Sequence, residues 1–218
     1  MWGWRGAAIR LILWPLRGGR RPMPEPIDFY FDFSSPYGYL ASYRIDQLAA
    51  RHERGVAWRP FLLGAAFKIA GTAPLTAVPL KGDYSIRDFK RSARLHSVPF
   101  KMPAQFPING LQASRAYYWL EGNSPQQAKP FARAIYAAFF VDGRDISNRE
   151  VVADVGGEMG VDRAKLLAAT EAPEVKNRLR EVTDDAIQRR QVFGSPFFFV
   201  DGEPFWGSDR LDMIDRWL

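Results

Sequence analysis

The chain has 218 residues, 47% hydrophobic and 25% charged, the balance of a folded globular protein with a sizeable core. The sequence contains no cysteine and only two histidines, His52 and His96. Disulfides, thiolate metal sites and a cysteine nucleophile are therefore excluded, and a multi-histidine metal centre or a Ser-His-Asp triad is disfavoured.

The net charge of +6 is unevenly placed. Arg5, Arg10, Arg17, Arg20 and Arg21 lie in residues 1–22, which hold no acid, and the remainder carries only +1. Residues 1–26 read as a leader, either disordered or ahead of a true start at Met23. A basic interfacial helix carrying Trp2, Trp4 and Trp14 is the competing reading. The apolar run from Ala7 to Leu16 is broken by Arg10 and Pro15 and is too short to span a membrane. It also lacks a clear signal-peptide core and cleavage site.

The folded part is expected over 27–218. Ile27 to Phe33 reads as a strand that runs into Ser34-Ser35-Pro36, with Ser35 at a helix N-cap and Pro36 in the first turn. Tyr39, Leu40, Tyr43, Ile45 and Leu48 carry one helix to about Arg54, and Val56 to Phe61 is a second strand reached by a right-handed crossover. Residues 62–192 form a helical insertion. It opens with a Gly/Pro-rich stretch (64–82), followed by helices near 85–97, 110–121, 125–141, 147–158, 161–169 and 174–192. Pro99, Pro103 and Pro107 mark an extended connector. Phe197 to Val200 is a buried strand, Asp201-Gly202 a hairpin turn, Glu203 to Trp206 the last strand, and Ser208 caps a helix ending near Trp217. This β-α-β, helical block, β-β-α order is a thioredoxin-like α/β fold with a large helical insertion.

Three segments could carry chemistry. Ser34-Ser35-Pro36 stands where a thioredoxin fold presents its redox cysteine. A serine there cannot exchange disulfides, but its hydroxyl can hydrogen-bond a thiolate supplied from outside; plain N-capping is the alternative. Ser195-Pro196, if cis, would turn the Ser195 backbone outward to pair with a peptide-like ligand, or else Pro196 merely begins a strand. Trp206-Gly207-Ser208-Asp209-Arg210 offers acceptors for an ammonium and N–H groups for a carboxylate, or else caps the last helix. His52 and His96 read as surface residues. Arg87, Lys90, Arg91 and Arg94 form a solvated helix face rather than a nucleic-acid surface. The stripe Tyr117, Tyr118, Phe131, Tyr136, Phe139 and Phe140 reads as core, with some members beside an aromatic pocket.

Four stretches, DFYFDFSSPYGYLA (28–41), RPFLLGAAFKIAG (59–71), VPFKMPAQFPIN (98–109) and VFGSPFFFVDGEPFWGSDRL (192–211), together resemble the 2-hydroxychromene-2-carboxylate isomerases. These are relatives of kappa-class glutathione transferases in the DsbA-type thioredoxin superfamily. The resemblance runs from about residue 27 to the C-terminus. It implies glutathione as cofactor and Ser35 as the catalytic serine. Ser195 before a cis Pro196 would then hold the glutathione backbone, and Trp206, Gly207, Ser208 and Asp209 its γ-glutamyl end. Phe67, Lys68 and Phe106 would contact an aromatic carboxylate substrate, with Lys68 facing the carboxylate.

The implied reaction converts 2-hydroxychromene-2-carboxylate, or a related cyclic aromatic hemiketal, to trans-o-hydroxybenzylidenepyruvate. It would proceed by reversible thiolate addition, ring opening and elimination. A kappa-type transferase and a non-catalytic thioredoxin-fold binding module are the alternatives. A cytoplasmic enzyme without metal, nucleic acid or membrane span is implied, and the resemblance is compatible with a homodimer. Two departures from the family's habit stand out. Ser34 replaces a larger apolar residue, leaving open which hydroxyl faces the thiol. Ser195 replaces a valine, a change expected to matter little because the backbone makes that contact.

Overall fold

A computed structural model describes residues 24–218; of the leader read over residues 1–26, residues 1–23 lie outside the described residues. Strand β1 (Ile27–Phe31) leads through helices α1 (Pro36–Ser42) and α2 (Ile45–Arg51) to β2 (Val56–Pro60). Helices α3 (Leu63–Ala70), α4 (Lys81–Leu95), α5 (Leu111–Asn123), α6 (Pro125–Phe140), α7 (Arg149–Glu158), α8 (Arg163–Ala169) and α9 (Pro173–Asp184) follow. Then come β3 (Phe197–Val200), β4 (Glu203–Trp206) and α10 (Leu211–Trp217).

The four strands form one sheet in the order β2-β1-β3-β4. The β1–β2 pair is parallel, while β1–β3 and β3–β4 are antiparallel. Strand alternation sorts the side chains to the two faces. Phe29, Phe31, Trp58 and Phe198 stack on one face at centroid distances of 4.9–5.4 Å and meet Tyr117 of α5 and Tyr136 of α6. On the other face Asp28 accepts from Arg59 and Arg190, and Tyr30 packs against Phe199. The hydroxyls of Tyr117 and Tyr118 donate to the carbonyls of Trp58 and Pro60, satisfying acceptors on the edge strand β2.

Three expectations need correction. The single helix after Ser35 is two short ones, interrupted at Tyr43–Arg44. Residues 64–70, read as part of a Gly/Pro-rich stretch, are helical. Leu63 and Ala66 bury one face of α3, and Gly71 closes it at φ +64°. Ser208 caps no α-helix: it opens a 3₁₀ turn over Ser208–Arg210 that leads into α10.

The aromatic stripe is core, with all six rings buried. The charged face of α4 is solvated, with Arg87, Lys90, Arg91 and Arg94 exposed. The histidines are half-buried rather than free at the surface, His52 paired with Asp215 and His96 with Arg44. No helix among the described residues is long and apolar enough to cross a membrane.

Candidate active site

β1 delivers the chain to a tight turn at Asp32, in which the Ser35 amide donates to the Asp32 carbonyl at 2.9 Å. Ser35 is the N-cap of α1: its Oγ accepts from the Gly38 amide at 3.0 Å and donates to the Ser195 carbonyl at 2.8 Å. Ser35 is only 6% exposed. Ser34 is half-buried, and its amide and hydroxyl both donate to Asp32 Oδ1, each at 2.7 Å. The adjacent serines therefore have different chemistry. Ser35 bridges to the second predicted segment, whereas Ser34 reaches inward to a carboxylate.

The second and third segments meet the first directly. The Ser195–Pro196 peptide bond is cis, as expected. The outward-facing Ser195 backbone was only partly anticipated, because its carbonyl already accepts the Ser35 hydroxyl. The replacement of valine by Ser195 does matter locally: its Oγ accepts the Asp32 amide at 2.9 Å and ties β1 to the start of β3. The Gly207 amide donates to the Pro196 carbonyl at 3.1 Å, which brings the 206–210 turn beside the cis peptide. Gly207 has φ +112°, and a Cβ there would fall 2.4 Å from Asp209 Oδ1, so only glycine suits the position. Trp206 is exposed, packs edge-on against Phe193 at 4.9 Å and covers Gly194. Ser208 is half-buried, and Asp209 is exposed with Arg210 3.6 Å away.

Sequence reasoning passed over Asp32, the most enclosed charged group of the site. It is 6% exposed and has no cation within salt-bridge reach among the described residues. Its carboxylate accepts three hydrogen bonds, two from Ser34 and one from the Leu63 amide at 2.9 Å. Burial pushes its pKa above the ordinary carboxylate range, against the opposing pull of those bonds. Tyr136 donates to the Asp32 carbonyl at 3.0 Å. Gly38 makes this knot fit, since a Cβ there would stand 2.8 Å from the Tyr136 hydroxyl and 2.9 Å from Ser195 Oγ. The available signal was an acid closing an aromatic strand immediately before Phe-Ser-Ser-Pro.

The expected substrate contacts lie on two elements. The Leu63–Asp32 bond anchors the start of α3 at the site. One turn on, Phe67 packs against the core, while Lys68 is exposed with no carboxylate in salt-bridge reach among the described residues. Phe106 is half-buried beside Phe89 at 6.4 Å, and Phe89 lies 4.9 Å from Tyr37 in α1. The Tyr37 hydroxyl donates to Asp88 at 2.5 Å; burial, then that bond, raises its pKa. Tyr37, Asp88 and Phe89 thus join Phe106 to α1, a wall that sequence reasoning did not assemble.

The model of the DSBA-like thioredoxin domain matches residues 26–218. The 2-hydroxychromene-2-carboxylate isomerase of Sphingobium xenophagum is 32% identical over 90% of this chain and 99% of its own length. The chain belongs to this isomerase family within the DsbA-like thioredoxins. A solved structure of 2-hydroxychromene-2-carboxylate isomerase superposes with a TM-score of 0.77 at 29% identity, covering 87% of this chain and 92% of the other. Glutathione S-transferase kappa 2 of Caenorhabditis elegans is 27% identical, covering 90% and 93%. The isomerase family and the kappa transferases therefore share the whole described domain with this chain, which is an enzyme of the isomerase kind.

Proposed function

We propose that the chain is a glutathione-dependent isomerase that opens 2-hydroxychromene-2-carboxylate, or a related cyclic aromatic hemiketal, and releases the trans-benzylidenepyruvate product. The observation that carries this reading is the direct hydrogen bond from Ser35 to Ser195, with Gly207 held on Pro196 beside it, in a chain that has no thiol of its own. The donor set suits a γ-glutamyl peptide thiol. Ser35 offers a hydroxyl, Ser195 backbone groups, and the Gly207–Asp209 turn both amides and a carboxylate.

Glutathione, when bound, supplies a thiolate that adds reversibly to a conjugated double bond and so leaves a single bond free to rotate. The residues of this chain bind and orient. Ser35 Oγ exchanges its bond to the Ser195 carbonyl for a stronger, charge-assisted bond to sulfur. Ser195 and Pro196 hold the peptide backbone, Trp206 and Gly207 shape the γ-glutamyl pocket, and Ser208 and Asp209 accept from its ammonium. Phe67 and Phe106 flank the aromatic ring. Lys68 takes the substrate carboxylate. The same reading makes the enzyme a cytoplasmic homodimer, with the dimer testable by light scattering.

The test is Ser35→Ala, assayed spectroscopically on 2-hydroxychromene-2-carboxylate with and without glutathione. Turnover should fall by about 10²-fold or more, and the stability cost of the lost cap should be about 1 kcal/mol. Unchanged glutathione-dependent turnover would remove Ser35 from the mechanism.

A further inference from the structure

Asp32 is a buried titratable group for which cofactor binding and substrate contact, as described, have no use. It lies one hydroxyl in from a half-buried serine. Ser34 Oγ donates to Asp32 Oδ1 at 2.7 Å, and Ser34 is the more exposed of the two serines. Because that hydroxyl spends its proton inward, its lone pairs are left for a donor on the solvent side. No charged side chain of the described residues pairs with Asp32. Leu63 of α3 and Ser34 supply hydrogen bonds, and Tyr136 of α6 reaches only its backbone carbonyl. Gly110, just ahead of α5, lies close enough that a Cβ there would be 3.6 Å from Oδ1, and Ser195 meets the Asp32 amide. Tyr136 is the one titratable side chain facing it among the described residues, and burial first, then the Asp32 charge, keeps that phenol protonated.

We propose that Asp32 receives the thiol proton of glutathione through the Ser34 hydroxyl, so that Asp32 and the sulfur share one negative charge before and after the thiolate forms. The inference rests on the glutathione reading above. The step is balanced. Ser34 Oγ takes the thiol proton while its own proton passes to Asp32 Oδ1, and the electron pair of the S–H bond stays on sulfur. Two negative charges close together, where no cation of the described residues pairs with Asp32, repel strongly, and moving the proton inward avoids holding both. Burial already biases Asp32 toward accepting it. Asp32 acts through Ser34 and is a positioning and proton-holding residue rather than a substrate contact.

The experiment is a proton count. Glutathione is titrated into the wild-type protein at about pH 7 by calorimetry in two buffers of different ionisation enthalpy, while ultraviolet absorbance reports thiolate. The wild type should form thiolate with almost no proton released to solvent. Asp32→Asn should release about one proton per thiolate. Ser34→Ala, a mild change at a half-exposed position, should reach the wild-type count but form thiolate about 10-fold more slowly in stopped flow. A wild type that releases a full proton per thiolate overturns the relay whether or not Asp32→Asn folds, as does Ser34→Ala forming thiolate at the wild-type rate. Absence of glutathione binding is a different failure: it overturns the cofactor reading, and the relay with it.

Discussion

Gly38→Ala sets two opposite effects against each other. Gly38 is helical, so alanine gains up to about 1 kcal/mol of backbone entropy and propensity. The new methyl, however, would lie 2.8 Å from the Tyr136 hydroxyl, 2.9 Å from Ser195 Oγ and 3.2 Å from Ser35 Cβ. The first two atoms are not free ends: Tyr136 is bonded to the Asp32 carbonyl and Ser195 Oγ to the Asp32 amide. Moving them by roughly half an ångström weakens both buried bonds, at a cost of about 3 kcal/mol in overpacking and lost hydrogen bonding.

Overpacking wins. The net loss is about 2 kcal/mol, or a Tm about 4–8 °C lower for a chain of this size. Gly64→Ala in α3 is the control, since it is exposed and a Cβ there meets nothing within 4 Å. It should raise stability by about 0.5–1 kcal/mol. Thermal and urea unfolding of the two variants side by side measure the difference. If Gly38→Ala is as stable as Gly64→Ala, the knot around Asp32 yields freely and the packing argument fails.

Lys68→Met should raise KM for the carboxylate substrate about 10-fold with Tm unchanged, because the ammonium has no intramolecular carboxylate partner among the described residues. Equal KM values would take Lys68 out of the substrate site. Gly207→Ala should cost about 1–3 kcal/mol through strain at φ +112° and weaken glutathione binding, both readable by calorimetry. The His96 pKa is lowered by burial, then by Arg44. The native state therefore binds fewer protons than the unfolded chain below about pH 6.5, and stability declines as pH falls through that value. His96→Gln should flatten this part of the stability–pH curve; an unchanged slope would assign the decline to other groups. Product analysis with an aromatic halide beside the chromene substrate separates isomerisation from kappa-type transfer, a retained thioether marking the latter.

Much of the fold was legible locally. The strand Glu203 to Trp206 and the helices from 110 to 169 follow from periodicity and turn residues, because an amphipathic pattern and a Gly or Pro boundary are properties of neighbouring residues. Helix α3 was obscured by Gly64 and Gly71, yet Gly71 caps its C-terminus in the left-handed conformation, so the apparent breaker was the stop signal. The break at Tyr43–Arg44 left no mark in the apolar spacing. Tyr39 and Leu40 are buried in the first helix and Ile45 and Leu48 in the second, so the apolar spacing runs on across the break.

By itself the sequence determined the kind of chemistry and where to look for it. The absence of cysteine, Ser35 before Pro36, Ser195 before Pro196 and the Trp206–Asp209 turn are statements about residue identity, which no folding can alter. Only the tertiary structure decided what those groups do to one another. Ser35 and Ser195 lie 160 positions apart and share a hydrogen bond. Ser34 is separated from Ser35 by what it touches rather than by its type. Asp32 becomes unusual only once the sheet, α3 and α6 close around it. A carboxylate's burial and partners are long-range properties, set by how distant segments pack, so its altered proton affinity cannot be read from the residues beside it.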